Sequence, residues 1–193
     1  PIFVAGLLED LGRPVSPRIR FLAAVLSSLI AVTLLGLWVP RVHVPGFDTL
    51  LQWSPVAILF TLIATAGVSN AFNLIDGVNG LAVGVGTITA LAMAIVAVRS
   101  GVPIWVELNL MVIAALMGFL VFNYPWGRIF LGDAGAYSLG YILAWFAIAL
   151  MHRAPDLTPW ALLLIFFWPI ADTFFAIYRR RMAGRSATQP DRL

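Results

Sequence analysis

The sequence predicts an all-α protein, a polytopic transmembrane helical bundle with about six spanning helices and part of a seventh. Charged residues make up only 11% of the 193 residues and hydrophobic residues 61%, whereas a soluble domain typically carries about 25% charged residues. The mean hydropathy of +0.95 agrees with this. Most of the apolar runs approach the roughly 20 residues that a helix needs to cross a bilayer core of about 30 Å.

Each predicted helix follows one apolar run, and short polar connectors separate the runs. The runs are Phe21 to Val39, Pro55 to Leu74, Leu81 to Val98, Ile104 to Phe122, Leu139 to Met151 and Trp160 to Tyr178. The fifth run is too short to span unless its helix begins earlier, near Asp133. Pro169 lies inside the sixth run, where a proline kinks or breaks a helix. The apolar stretch from Pro1 to Leu8 is expected to be the end of a seventh helix.

The placement of the arginines predicts the orientation. All 12 basic residues are Arg, and alternation of the spans places nine of them on one side and three on the other. The positive-inside rule assigns the side with nine to the cytoplasm, and six of the nine acids share that side. The net charge of +3 does not suggest nucleic-acid binding, because the arginines lie between apolar spans and are better explained as topology signals. The absence of Cys excludes disulfides and thiolate metal sites.

The strongest chemical signal is the segment Asn-Ala-Phe-Asn-Leu-Ile-Asp-Gly-Val-Asn-Gly, which begins at Asn70. Asn70 and Asn73 share one face of a helix, and Asp76 continues that face. An ordinary turn would explain the Asp-Gly and Asn-Gly pairs. It would not explain two amides inside a span, where polar groups are costly and mark function by default.

A second segment begins at Asn123 and ends with Asp133 between Gly132 and Gly135. Backbone N–H groups at a helix start favour phosphate, and a carboxylate beside phosphates suits Mg²⁺. The alternative is that Asp133 is a helix N-cap, and this segment alone does not decide between the two. Its location on the same side as the first segment favours the metal site.

Three further features are weaker. The adjacent acids Glu9 and Asp10 are a weak signal when taken alone, because adjacent acids often belong to a solvated loop. Asp172 lies inside the last run and either has a function or pairs with a basic residue. The arginines from Arg179 to Arg181 indicate a topology anchor that also suits the phosphates of membrane lipid.

Together these segments resemble the polyprenyl-phosphate N-acetylhexosamine-1-phosphate transferases. The resemblance lies in Asn-x-x-Asn-Leu-x-Asp-Gly-x-x-Gly-Leu-Ala, followed by Asn-x-x-Pro and Phe-Leu-Gly-Asp-x-Gly, and it covers residues 3–193. It implies a multi-pass enzyme of the bacterial inner membrane with its active site on the cytoplasmic face. Such an enzyme transfers sugar-1-phosphate from a UDP-N-acetylhexosamine to undecaprenyl phosphate, releases UMP and uses Mg²⁺.

The resemblance also implies a role for each matching position. The metal ligand would be Asp133, and the catalytic residues would be Asp76, Asp10 and Glu9. The substrate-binding residues would be Asn70, Asn73, Asn79, Asn123 and Gly132. Glu9 and Asn79 stand where many members have Asp, and in both respects the chain resembles the O-antigen and capsule branch.

Several alternatives stay open at this stage. We expect one transmembrane domain, residues 1–193, that is a fragment inactive on its own, because the histidine-rich motif of the family is missing beyond its lead-in near Gly184. A close alternative is the phospho-N-acetylmuramoyl-pentapeptide transferase of peptidoglycan synthesis. A membrane transporter is the alternative from another class, and it predicts acids near the bilayer midplane and inverted repeats. The sugar, the one-step or two-step mechanism and the oligomeric state, a homodimer included, are left open.

Overall fold

The computed structural model describes residues 1–182 and residue 184, and this part of the chain is helical, without strands. Its helices are α1 (Ile2–Asp10), α2 (Pro17–Leu35), α3 (Phe47–Leu51), α4 (Ser54–Ile75), α5 (Leu81–Arg99), α6 (Pro103–Asn123), α7 (Gly132–Arg153), α8 (Pro159–Ile165) and α9 (Phe167–Met182). The prediction of an all-α polytopic protein is confirmed. Only the short helix α3 was not expected, because five residues are too few for helical periodicity to register.

The number of spans also agrees with the sequence. Within the described part of the chain, α2, α4, α5, α6 and α7 are long and apolar enough to cross a membrane, and α8 with α9 would form a sixth, bent span. Helix α7 begins at Gly132, so the fifth span does extend upstream to Asp133. Helix α1 supplies the short seventh element.

The sixth span is broken, with an angle of 69° between α8 and α9. Pro169 explains the break, because a proline has no N–H and its ring collides with the carbonyl four residues earlier. That carbonyl belongs to Ile165, the last residue of α8. It accepts a hydrogen bond from the Thr89 hydroxyl of α5 at 3.4 Å, which partly satisfies the freed group.

Helix α7 lies at the centre of the bundle, where it is mostly buried and packs against α1, α4 and α5. Glycine allows α4 and α7 to approach closely, since a Cβ added at Gly140 would lie 2.9 Å from the Cα of Ser69. The Ser69 hydroxyl donates to the Tyr137 carbonyl at 2.7 Å. Packing and hydrogen bonding therefore fix the polar end of α4 beside the start of α7.

Helix α1 is pressed against the same end of α7. A Cβ added at Gly6 would lie only 2.5 Å from the backbone nitrogen of Ala134. The connectors that follow α4 and α6 also meet there, because the Gly80 N–H donates to the Asn123 side-chain oxygen at 2.6 Å. Three connectors thus gather at one end of the bundle, as the alternation of spans predicts.

Candidate active site

The Asp133 carboxylate, in the first turn of α7, is held by donors from two other helices. Arg20 of α2 donates from Nη1 to Oδ2 at 2.6 Å, and Asn73 of α4 donates from Nδ2 to Oδ1 at 2.9 Å. The N-cap position of α7 is occupied by Leu131. Asp133 is therefore not the N-cap of its helix, and its carboxylate faces a polar cluster instead.

Asp10, the last residue of α1, closes the start of α7. Its two carboxylate oxygens accept the backbone N–H groups of Asp133 at 2.8 Å and of Ala134 at 3.0 Å. A negative charge is favoured there, because the first N–H groups of a helix lack intrahelical partners. Gly132 makes this approach possible, since its φ is 66° and an added Cβ would lie 2.7 Å from Asp10 Oδ2. The sequence suggests that the backbone N–H groups at the start of α7 bind phosphate, but in the structure they donate to the Asp10 carboxylate.

Glu9 and Arg20 form the outer part of the cluster. Glu9 accepts the Val15 N–H on Oε2 at 2.6 Å, and its Oε1 lies 3.7 Å from Arg20 Nη1. Arg20 therefore lies between the carboxylates of Glu9 and Asp133. In the sequence Arg20 counts only as a topology signal. It directly precedes the apolar run that begins at Phe21, and only the structure places it one turn inside α2.

Asp76 follows the last residue of α4 and faces the same cluster from the connector. Burial raises the pKa of its carboxyl to about 6, with further upward contributions from the charges of Asp133 and Asp10. The Gly132 backbone amide acts in the opposite direction and lowers this pKa. Asp76 can therefore gain or lose a proton close to neutral pH, which an isolated aspartate does not do.

Two of the predicted asparagines connect neighbouring loops. Asn123 is buried, accepts the Gly80 N–H at 2.6 Å and donates from Nδ2 to the Ile129 carbonyl at 2.8 Å. Asn79 donates from Nδ2 to the Pro125 carbonyl at 3.2 Å. Both amides hold the α4–α5 connector against the α6–α7 connector, so they fix the walls of the site.

The predicted site residues thus fall into separate groups. The cluster at the start of α7 brings together Glu9, Asp10, Asn73, Asp76, Gly132 and Asp133. Asn70 donates to the Ala66 carbonyl of its own helix at 2.8 Å. Asp172 lies half-buried in α9, and within the described residues no hydrogen bond or ion pair joins it to the cluster. The expected lead-in to the histidine motif falls mainly on residues 185–193, outside the described residues.

Within the described residues, no group of three or more His, Asp or Glu side chains is arranged to hold a metal ion. In this arrangement, no more than two of the described carboxylates could share one metal ion. That is the arrangement Mg²⁺ adopts where substrate phosphates and water supply the other ligands.

Comparison with known proteins points to one family. Residues 1–151 match the family described as glycosyl transferase family 4. The probable undecaprenyl-phosphate N-acetylglucosaminyl 1-phosphate transferase of Bacillus subtilis is 32% identical over 192 residues, which cover 99% of this chain and 53% of the relative. The decaprenyl-phosphate N-acetylglucosaminephosphotransferase of Mycobacterium tuberculosis is 32% identical over 195 residues, which cover 90% of this chain and 48% of the relative.

A third relative carries a different name. The phospho-N-acetylmuramoyl-pentapeptide-transferase of Lacticaseibacillus paracasei is 39% identical over 137 residues, which cover 66% of this chain and 40% of the relative. The chain spans about half the length of the curated relatives it matches. Since the family match takes in well over half of the chain, and the Bacillus subtilis protein aligns with nearly all of it, the chain belongs to glycosyl transferase family 4.

Proposed function

We propose that the protein transfers N-acetylhexosamine-1-phosphate from a UDP-N-acetylhexosamine to undecaprenyl phosphate and releases UMP. This reaction would start a lipid-linked cell-envelope glycan. The observation that carries the proposal is the carboxylate cluster at one end of the bundle, where Asp10 at the end of α1, Asp76 after α4 and Asp133 at the start of α7 converge. The end of a spanning helix is where a lipid-borne phosphate can meet a water-soluble nucleotide sugar. The names of two relatives, both polyprenyl-phosphate N-acetylglucosamine phosphotransferases, support it.

The bond changes define what the site must do. An oxygen of the acceptor phosphate bonds to the phosphorus that carries the sugar. The bond from that phosphorus to the bridging oxygen breaks, and UMP leaves with the electron pair. Both reactants are anions, so the reaction depends mainly on charge neutralisation and alignment.

Mg²⁺ is part of the proposal, and the donor set fits it. Asp133 is the proposed ligand, with phosphate oxygens and water completing the coordination. Burial raises the pKa of Asp76 most, and the charges of Asp133 and Asp10 raise it further, so a cation placed among these carboxylates would be stabilised. When bound, Mg²⁺ would neutralise the diphosphate of the donor and the negative charge that develops on the oxygen of the leaving UMP.

The chain's own residues would position the reactants and move a proton. Asn73 and Asp10 fix the Asp133 side chain and the start of α7. Asp76 has a pKa of about 6, and the second ionisation of a phosphate monoester also has a pKa of about 6. The two pKa values are close in the protein without metal and substrate, so Asp76 is the proposed acceptor for the proton of the acceptor phosphate.

The proposal includes the bacterial inner membrane and a cytoplasmic active site. Support comes from the side on which nine of the 12 arginines fall when the spans alternate. The acids of the cluster lie at helix ends and not in the middle of the spans. A transporter, which would hold them near the midplane, is therefore the weaker alternative.

The test uses the protein at its full natural length in membrane vesicles, with undecaprenyl phosphate and a panel of UDP-sugars. We expect Mg²⁺-dependent UMP release and a lipid-linked sugar. Asp133→Asn should abolish both, while Asp156→Asn, an exposed carboxylate elsewhere, should leave them intact. Undiminished turnover by Asp133→Asn would contradict the metal assignment.

The same panel separates the alternatives. Turnover of UDP-N-acetylmuramoyl-pentapeptide alone would replace the proposal by the peptidoglycan reaction, for which the Lacticaseibacillus paracasei relative is named. Uptake of a UDP-sugar into vesicles without any lipid-linked product would replace it by transport.

A further inference from the structure

Arg20 lies between two carboxylates of the cluster. Its Nη1 lies 2.6 Å from Asp133 Oδ2 and 3.7 Å from Glu9 Oε1. The side chain is largely buried, with a relative exposure of 20%. Its positive charge therefore lies against one oxygen of the carboxylate that we propose as the metal ligand.

The guanidinium of Arg20 also has an unused donor. Its Nε is buried and has no hydrogen-bond partner among the described residues. A buried donor without an acceptor is unfavourable, and guanidinium donors form a planar fork that matches carboxylate and phosphate oxygens. The unused donor in a cluster of acids indicates an acceptor that a ligand would supply.

A divalent ion at Asp133 and the guanidinium of Arg20 would compete for the same carboxylate. Two cations within hydrogen-bond distance of Asp133 Oδ2 would repel each other in this half-buried setting. Glu9 offers the displaced guanidinium another carboxylate 3.7 Å away, so Arg20 can leave Asp133 without losing all negative partners.

We propose that Arg20 is a resident counter-ion that neutralises Asp133 until the metal binds, and that it then turns to an oxygen of the substrate phosphate. This step rests on the proposed function, because it takes Asp133 as the metal ligand. Arg20 thereby keeps the acid cluster folded without metal and couples metal binding to phosphate binding.

If the ion pair between Arg20 and Asp133 were purely structural, removing Arg20 would change the metal affinity in the opposite direction from the one that our proposal predicts. If Arg20 only held Asp133 in position, its removal would disorder the carboxylate and weaken metal binding. If Arg20 competes for Asp133, its removal strengthens metal binding when no phosphate is present. The sign of the change therefore separates the two roles.

The experiment measures Mn²⁺ binding by electron paramagnetic resonance to the full-length protein in detergent, without nucleotide or lipid phosphate. We expect Arg20→Gln to lower the Kd for Mn²⁺ by a factor within the range of about 5 to 150 that is usual for coupled sites. Arg20→Lys, which keeps the charge but loses the fork, should fall between Arg20→Gln and wild type. Arg18→Gln, an exposed arginine two residues earlier, should match wild type.

A second measurement tests the phosphate contact. Undecaprenyl phosphate should raise the Mn²⁺ affinity of wild type more than that of Arg20→Gln. Only wild type has an arginine side chain that can turn from Asp133 to the added phosphate. If Arg20→Gln does not fold, the same comparison is made with Arg20→Lys.

Each other outcome has one meaning. Suppose that Arg20→Gln and Arg20→Lys bind Mn²⁺ as wild type does or more weakly, and that Asp133→Asn no longer binds it. This result overturns the role of Arg20 and leaves the proposed function standing. Failure of wild type and both Arg20 variants to bind Mn²⁺ overturns the metal assignment and the role of Arg20 together.

Discussion

The Asp133 N–H donates a 2.8 Å hydrogen bond to the Asp10 carboxylate, which joins the end of α1 to the start of α7. The two residues are far apart in sequence and meet only because α1 packs on α7 through Gly6. The acid cluster is therefore a product of tertiary packing. Variants that separate these helices should disturb the cluster even when every carboxylate is retained.

Gly132→Ala tests this relationship directly. Gly132 has a φ of 66°, and an added Cβ would lie 2.7 Å from Asp10 Oδ2. We expect backbone strain and loss of the Asp10 contact, with a lower melting temperature and at least a tenfold loss of UMP release, about 1.4 kcal/mol at the transition state.

Gly118→Ala is the matched control for Gly132→Ala. Gly118 lies inside α6, and an added Cβ would have nothing within 4 Å. Alanine in a helix interior is about 0.5–1 kcal/mol more favourable than glycine, so this variant should be as stable as wild type or more so. Equal melting temperatures for Gly132→Ala and Gly118→Ala would contradict the packing argument.

Asn73→Ala tests how Asp133 is oriented. The Asn73 amide holds Asp133 Oδ1 at 2.9 Å. Partners that orient a metal ligand typically contribute about 10- to 100-fold in metal affinity or activity. We expect a loss of that size in the dependence of UMP release on Mg²⁺ concentration.

The control for Asn73→Ala is Thr87→Val in α5. The Thr87 hydroxyl donates only to the Val83 carbonyl of its own helix, so its loss should leave the Mg²⁺ dependence unchanged. A similar shift in both variants would mean that any polar loss within a span disturbs the site.

The sequence predicts the fold well because the membrane imposes it. A span needs a certain apolar length, so six runs give six spans, and the bend of the last is foreseeable from Pro169. The site is predicted in part. Asn73 and Asp133 carry local signals, a polar residue in a span and an acid between glycines.

Other features of the site depend on long-range contacts. Arg20 was missed as a site residue, because an arginine near the end of a span is already explained by topology. The sequence also does not reveal that Asp10 closes the start of α7. That contact requires α1 to lie against Ala134, which no local pattern specifies.

Asn123→Ala tests the connection between the two loops. Asn123 is buried and bonds the Gly80 N–H and the Ile129 carbonyl. Its removal leaves the Gly80 N–H and the Ile129 carbonyl without these part-buried bonds, and a typical intramolecular hydrogen bond contributes about 0.5–1.5 kcal/mol to stability. We expect a clear fall in melting temperature, measured by tryptophan fluorescence. Asn79→Ala removes one longer hydrogen bond, of 3.2 Å, and should lower the melting temperature less. A larger fall for Asn79→Ala than for Asn123→Ala would contradict the role given to Asn123.

Asp76→Asn tests the electrostatics of the cluster through the pH dependence of stability. The pKa of Asp76 rises from 3.8 to about 6 in the folded protein, chiefly because of burial. The folded state therefore binds this proton more tightly than the unfolded state does. Stability from this group is fully present below about pH 4 and is lost as the pH rises through about 6.

Asparagine cannot ionise, so Asp76→Asn should avoid this loss. In metal-free buffer with a chelator, its melting temperature should match that of wild type near the acid end of the range and exceed it above the folded pKa of about 6. Asp156→Asn, an exposed carboxylate away from the cluster, controls for the general effect of removing one negative charge. A difference between Asp76→Asn and wild type that stays constant from acid to neutral pH would show that the Asp76 carboxyl is not destabilised in its ionised form. Added Mg²⁺ should narrow the difference at neutral pH, because a cation bound at Asp133 favours the ionised form of a neighbouring carboxylate.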